Sequence, residues 1–218
     1  MKPVRILIMA KEPQPGRAKT RLIPALGEHG AATLADRLLH LALHHALTAN
    51  LGPVELCVTP DPAARYWQAL PRAGQCKISA QVEGDLGARM AAAAQNGLNC
   101  SGPVLIIGTD CPDLTARQLS VMARSLQTHD CCLCPVTDGG YALIGLRQFS
   151  EDLFNDIPWS TGQVAPVTRA RIKTLGWSCY ESELLSDVDE PGDLAQLASN
   201  HPELAAIVQQ TASGIGRI

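Results

Sequence analysis

Short apolar runs alternate with longer amphipathic stretches along the first two thirds of this chain. Residues 4–10, 54–59, 76–82 and 104–107 read as strands, and the unbroken apolar run Val104-Leu105-Ile106-Ile107 fits a strand buried on both faces of a sheet. Residues 28–49 read as a long helix. Leu34, Leu38 and Leu41 form one stripe on it and Leu39, Leu43 and Leu47 another, while Arg37, His40, His44 and Thr48 form a polar face. Asp61-Pro62 starts a short helix that runs to Leu70, and residues 88–98 form an alanine-rich one. Alternation of this kind is the mark of a parallel sheet covered on both faces.

The pattern changes after Val104. The strand there stops at Gly108-Thr109-Asp110, Pro112 breaks the regular hydrogen bonding, and Thr115 caps a helix over residues 116–127. Residues 130–136 and 141–146 are then two strands joined by Thr137-Asp138-Gly139-Gly140, a hairpin signal that makes the sheet mixed. A short helical piece at 149–154, a polar loop at 159–162 and a helix at 163–175 follow, with Pro166 tolerable only in that helix's first turn. A last strand at 177–180 leads through an acidic loop at 186–191 to helices at 191–198 and 202–210, and residues 211–218 are expected to fray. No repeat or linker interrupts the chain. The expected organisation is one α/β domain over residues 1–218, in three layers (α/β/α) around a mixed, mostly parallel sheet. Its two halves are about 1–114 and about 115–200.

Composition narrows the function. Hydrophobic residues are 46% of the 218, enough for a large core, but aromatics are only 4%, so that core is built from Leu, Ile, Val and Ala. A formal net charge of −3 gives no bulk attraction to nucleic acid or membrane. No run approaches the roughly 18 apolar residues of a membrane span, and the apolar run at 6–10 is too short for a secretory signal, so the reading is soluble and cytoplasmic. The eight cysteines are then expected to be thiols. Cys131, Cys132 and Cys134 do not make a zinc site: on a strand the first points opposite to the other two, and no second pair completes four ligands. His40 and His44 lack a third ligand and read as solvated.

Two stretches carry candidate chemistry. Lys11, Arg17, Lys19 and Arg21 put four cations within eleven residues of an otherwise acidic chain, and Gly16 lets a partner approach the backbone. Phosphate is the natural partner, since arginine grips it as a fork and lysine as a point charge. Neither the Walker spacing nor a dinucleotide-binding glycine pattern is present. The second stretch is acidic. Asp110, Asp187 and Asp189 all follow strand-like runs and can reach one edge of the sheet, the edge where open α/β sheets bind ligands. Oxygen ligands without histidine or thiol suit Mg2+ or Mn2+. Asp113 lies nearer the next helix and reads as a cap or as a support for the ligands.

Six blocks then combine into a resemblance. They are Ala10-Lys11-x-Pro13-x-Pro15-Gly16-Arg17-x-Lys19-Thr20-Arg21-Leu22, Gly84-Asp85-Leu86-Gly87-x-Arg89-Met90, Gly108-Thr109-Asp110-Cys111-Pro112-Asp113-Leu114, Asp138-Gly139-Gly140-Tyr141, Trp159-Ser160-Thr161 and Asp187-Val188-Asp189-Glu190-Pro191. Together they resemble the transferase family associated with radical-SAM/selenodomain proteins, within the nucleotide-diphospho-sugar transferase (GT-A) superfamily. The resemblance implies a GT-A fold and a divalent cation bound through Asp110, with Asp189 as the later acid. It implies that Arg17 to Arg21 hold the donor's phosphates, with Lys11, Gly16 and Thr109 beside them. Asp85, Leu86, Gly87 and Arg89 would then lie near base or ribose, although Asp85 serves equally as a helix cap. Gly139, Gly140, Tyr141, Trp159, Ser160 and Thr161 would face the acceptor, although Asp138 and Gly139 serve equally as a turn. Lys19, Arg17, Asp110 and Asp138 are the candidate catalytic residues.

The opening loop is also similar to that of phospholactate guanylyltransferases, and it departs from the glycine-rich start of molybdenum-cofactor guanylyltransferases. The expected activity is therefore metal-dependent transfer from a nucleotide or nucleotide-sugar donor to a small-molecule acceptor. Glycosyl transfer comes first. The alternatives are nucleotidyl transfer with release of pyrophosphate and a nucleotide-binding regulator without catalysis.

Overall fold

The computed structural model describes residues 2–70 and 72–214. Among these described residues seven strands form one sheet: β1 (Arg5–Lys11), β2 (Val54–Thr59), β3 (Lys77–Ala80), β4 (Val104–Ile107), β5 (Cys131–Pro135), β6 (Tyr141–Leu146) and β7 (Cys179–Glu181). Their order across the sheet is β3-β2-β1-β4-β6-β5-β7. The pairs β1–β2, β1–β4, β2–β3 and β5–β7 are parallel, whereas β6 runs antiparallel to both its neighbours. This is the mixed, mostly parallel sheet that the hairpin signal foretells, and the hairpin is its cause. The turn at 137–140 sends β6 back between β5 and β4, so β6 begins at the edge where β4 ends. Gly139 sits at φ +88°, a conformation open to glycine and strained for other residues.

Among the described residues seven α-helices cover the sheet: α1 (Ile23–Ala49), α2 (Arg65–Ala69), α3 (Leu86–Ser101), α4 (Ala116–Ser125), α5 (Val164–Thr174), α6 (Asp193–Asn200) and α7 (Pro202–Gly214). One core cluster joins Ile6, Ile8, Leu56, Leu105, Ile107 and Cys132 to Leu39 and Leu43 of α1 and Leu119 and Met122 of α4. The opposite face joins Leu7, Val104, Ile106, Cys131 and Leu133 to Met90 and Ala94 of α3 and Ile172 of α5. Successive strand residues thus serve opposite layers, and the cysteines of β5 divide as the pleat requires, with Cys131 on one face and Cys132 and Cys134 on the other. Burying a Leu, Ile or Val side chain contributes about 1.5–3 kcal/mol, so these two faces hold most of the fold's driving force. A third cluster joins Leu34 and Leu38 of α1 to Leu194, Leu197 and Leu204 of α6 and α7. The two leucine stripes of α1 therefore serve two different clusters.

Several boundaries differ from the sequence reading. α1 starts earlier, with Pro24 in its first turn, and is broken at Gly27 (φ 67°, ψ 168°), so the helix read from Glu28 is its second segment. Asp61 caps a turn through Ala63 N (2.8 Å) rather than a helix, and α2 is confined to Arg65–Ala69, anchored by the fully buried Trp67. α7 continues to Gly214, past the point at which fraying was expected, and residues 215–218 lie outside the described residues. No helix among the described residues is long and apolar enough to cross a membrane. On the polar face of α1, His40 lies 3.7 Å from Asp36 and His44 3.3 Å from Arg72, with no shared ligand set.

Candidate active site

Three chain segments meet at the edge formed by the carboxyl ends of β1 and β4. β1 delivers the cationic loop. β4 delivers Gly108-Thr109-Asp110. The segment after β7 is carried up beside β5 by a parallel bridge between Val136 and Leu185, and Val188 N then donates to Asp110 O at 2.9 Å. Because β6 is antiparallel, its first residue, Tyr141, lies at this same edge, and Gly108 N donates to Ala142 O. A cleft of about 570 Å3 opens there. Lys11, Arg17, Lys19, Arg21, Leu86, Thr109, Asp110, Asp138, Gly140, Tyr141, Trp159, Ser160, Thr161, Asp187 and Asp189 all line it.

Lys19 holds the centre of the cleft. Its side chain is only 5% exposed. Nζ lies 2.6 Å from Asp110 Oδ1 and 3.7 Å from Asp189 Oδ1, and it also donates to Val188 O. Arg21 takes the other oxygen of Asp189 at 2.7 Å. Lys11 Nζ donates to Arg17 O at 2.9 Å and so fixes the loop's own backbone. Asp187 sits among other acids. Burial first, then the charge of Asp138, pushes its carboxyl up to about 6. Cys111 also borders the cleft, but burial pushes its thiol up to about 12, so it does not supply a thiolate nucleophile.

Among the described residues no three His, Cys, Asp or Glu side chains form a ready-made metal cage. The donor set nonetheless fits a hard cation. Mg2+ binds through one or two carboxylates and takes its remaining ligands from substrate phosphates and water. Asp110 and Asp189 are such a pair, already converging on one positive charge, that of Lys19.

Other expected residues stand just outside the cleft lining and support it. Asp85 caps α3 through Ala88 N at 2.8 Å, and Arg89 Nε donates to Gly84 O, so both hold the loop before α3 in shape. A Cβ at Gly87 would lie 2.4 Å from Phe154 O and 2.6 Å from Trp159 Nε1, so this glycine lets Trp159 pack on α3. Gly139 does the same for the loop that follows Trp159, where its Cβ would lie 2.3 Å from Gly162 O. A Cβ on Gly16 would stand 3.5 Å from the Glu28 carboxylate, in ordinary contact. Asp113 is not the cap of α4, a role Thr115 takes; it binds Nε2 of His201 at 2.9 Å. Met9 and Met90 were not foreseen as parts of the site, nor was His201 as the partner of Asp113 outside it. Met9 and Met90 line the cleft, and the only sign of Met90 was its place at the end of a quoted block. His201 lies 88 residues from its partner and had no sequence signal.

Residues 42–161, more than half of the chain, match the family model described as "Uncharacterized protein conserved in bacteria (DUF2064)". The chain belongs to this family. None of the curated proteins compared with this DUF2064 chain matches it. Among solved structures, a protein of Desulfovibrio desulfuricans G20, provisionally named a nucleotide-diphospho-sugar transferase, is 28% identical, with a TM-score of 0.84 over 97% of this chain and 99% of that one. A CMP:2-keto-3-deoxy-manno-octonic acid synthetase complexed with CTP aligns at 13% identity and a TM-score of 0.60, over 93% of this chain and 99% of that one. A manganese complex of Rv0371c from Mycobacterium tuberculosis aligns at 18% identity and a TM-score of 0.52, over 91% and 99%. At such identities the last two show a shared fold. The likeness to a nucleotide-diphospho-sugar transferase rests on the first, which exceeds a quarter identity over nearly the whole of both chains.

Proposed function

We propose that this chain transfers a group from a nucleotide-activated donor to a small acceptor with the help of Mg2+ or Mn2+, and that the group is a sugar. The observation that carries the reading is the convergence of the cationic loop on Asp110 and Asp189 at the carboxyl edge of a mixed sheet. Fixed positive charge at that point stabilises a leaving diphosphate as its negative charge develops.

Asp110 and Asp189 would hold the divalent cation, which would supply positive charge against the diphosphate. Arg17, Lys11 and Arg21 grip the phosphate oxygens, and Thr109 borders them. Leu86 and Met90 form an apolar floor for the nucleoside, while Asp85, Gly87 and Arg89 hold that floor in position. Tyr141, Trp159, Ser160 and Thr161 receive the acceptor. Tyr141 and Trp159 meet edge to face with ring centroids 6.5 Å apart, which offers the acceptor a paired aromatic surface. An aromatic surface edged by Ser160 and Thr161 suits a hydroxylated molecule. Asp138 Oδ1 accepts from Gly140 N at 2.7 Å, which leaves Oδ2 to take the acceptor's proton. The acceptor oxygen then attacks the anomeric carbon, the bond from that carbon to the phosphate oxygen breaks, and a nucleoside diphosphate leaves.

Nucleotidyl transfer is the second reading, because four cations in the opening loop also suit a triphosphate. Phosphorus NMR of reaction mixtures separates the two. The expected outcome is nucleoside diphosphate from a nucleotide-sugar with Mn2+ or Mg2+ present. Pyrophosphate from a nucleoside triphosphate, with nucleotide-sugars untouched, replaces glycosyl transfer by nucleotidyl transfer. No turnover of either over hours leaves a nucleotide-binding protein without catalysis.

A further inference from the structure

Lys19 is held unlike the rest of its loop. Its backbone is left-handed (φ 47°, ψ 48°), its side chain is almost wholly buried, and its ammonium reaches both carboxylates and the Val188 carbonyl. Arg21, in contrast, meets Asp189 with a side chain 53% exposed. A lysine needed only to attract phosphate gains nothing by turning its charge into two acids. Nor can a divalent cation join that ammonium. Like charges a few ångströms apart repel strongly in a partly buried site, and the oxygen nearest the ammonium, Asp110 Oδ1, is one the cation would use.

We infer that Lys19 is an exchangeable counter-ion and a positioning residue. With no donor bound, its ammonium substitutes for the divalent cation and holds the loop of Val188 and Asp189 against Asp110. When cation and donor arrive together, Lys19 gives up that place and its flexible stem carries the charge to the donor's phosphates. Cation and phosphates then bind cooperatively, because each needs the lysine where the other puts it. This rests on the metal reading above.

The test is binding of Mn2+ alone, with no nucleotide, followed by the electron paramagnetic resonance of free Mn2+. Lys19→Met is expected to bind Mn2+ about tenfold more tightly than the wild type, within the usual range of coupling between sites. Asp110→Asn in the Lys19→Met background is expected to abolish the gain. Arg21→Met removes the same charge from the outer side of Asp189 and is expected to change the affinity by less than about threefold. Equal or weaker binding by Lys19→Met, or an equal gain in Arg21→Met, overturns the exchange while leaving the metal reading intact. Binding by neither the wild type nor Lys19→Met, with nucleotides or without, overturns both. Should Lys19→Met not fold, reductive methylation of the wild type decides. Lys19 is expected to react slowly alone and about tenfold faster in saturating Mn2+, and an unchanged rate overturns the exchange.

Discussion

At Gly87 a methyl group in place of hydrogen would lie 2.4 Å from Phe154 O and 2.6 Å from the indole nitrogen of Trp159. Neither atom belongs to the far end of a flexible side chain. The tolerable response is for α3 and the loop before Trp159 to move apart. Overpacking of this kind costs about 1–3 kcal/mol. For a chain of this size that is a fall in melting temperature of about 2–12 °C. Gly87→Ala is therefore expected to lower the melting temperature and, by displacing Trp159, to weaken acceptor use more than donor binding. A loss confined to donor affinity, with stability unchanged, would return Gly87 to the ribose contact read from the sequence. The same scale explains Lys19 and Asp110. The sequence marks both as charged loop residues, and only their 2.6 Å contact makes them one unit.

Among elements, β7 is the most weakly founded: three residues at the sheet edge, paired on one side to β5. Asp130 and Ser178 clamp its start. The Ser178 hydroxyl and amide both donate to Asp130 Oδ2, at 2.7 and 2.9 Å. These bonds, the hydroxyl's first, hold the Asp130 carboxyl below its ordinary range. A carboxyl with a lowered folded pKa contributes stability that is present above its unfolded pKa and lost as pH falls through the folded value. Ser178→Ala is thus expected to melt below the wild type at pH 7, with the gap narrowing below about pH 4, where an unperturbed Asp protonates. Melting curves at several pH values check this, and a gap independent of pH would mean that the clamp is not electrostatic. The effect matters for function because the chain beyond β7 carries Asp187 and Asp189 into the cleft.

For the whole molecule, the cleft draws on both expected halves: β1 and β4 from one, the hairpin and the segment after β7 from the other, all on one continuous sheet. A ligand that spans them binds only the native state and stabilises it. At about 100 times its Kd such a ligand adds about 2.7 kcal/mol, or about 5–11 °C for a chain of this size. A thermal-shift panel of nucleotides and nucleotide-sugars, with and without Mg2+ or Mn2+, is expected to give a shift of that size for one base with metal present. Asp110→Asn is expected to stay folded, since its side chain is 53% exposed, and to lose the metal-dependent part. Metal-dependent binding that survives in this variant would remove Asp110 from the cation site.

The sequence by itself determined the layers. The apolar run of β4, the leucine stripes of α1 and the turn residues between β5 and β6 are properties of neighbouring residues, and periodicity and turn chemistry report them directly. Nearly all the helices and strands were legible for that reason, as was the sheet edge at which the cleft lies. The misjudged boundaries lie where local signals compete, as at Asp61, which caps a turn, and Gly27, which breaks a helix without ending it. Only the tertiary structure decided which charges meet. Lys19 reaches a carbonyl 169 residues away, and Asp113 finds His201 88 residues away. No local pattern encodes such pairs, because they exist only after the sheet has ordered its strands and the crossovers have brought distant loops to one edge. The same holds for Gly87 and Gly139, whose lack of a side chain matters through the atoms of other segments that press against them.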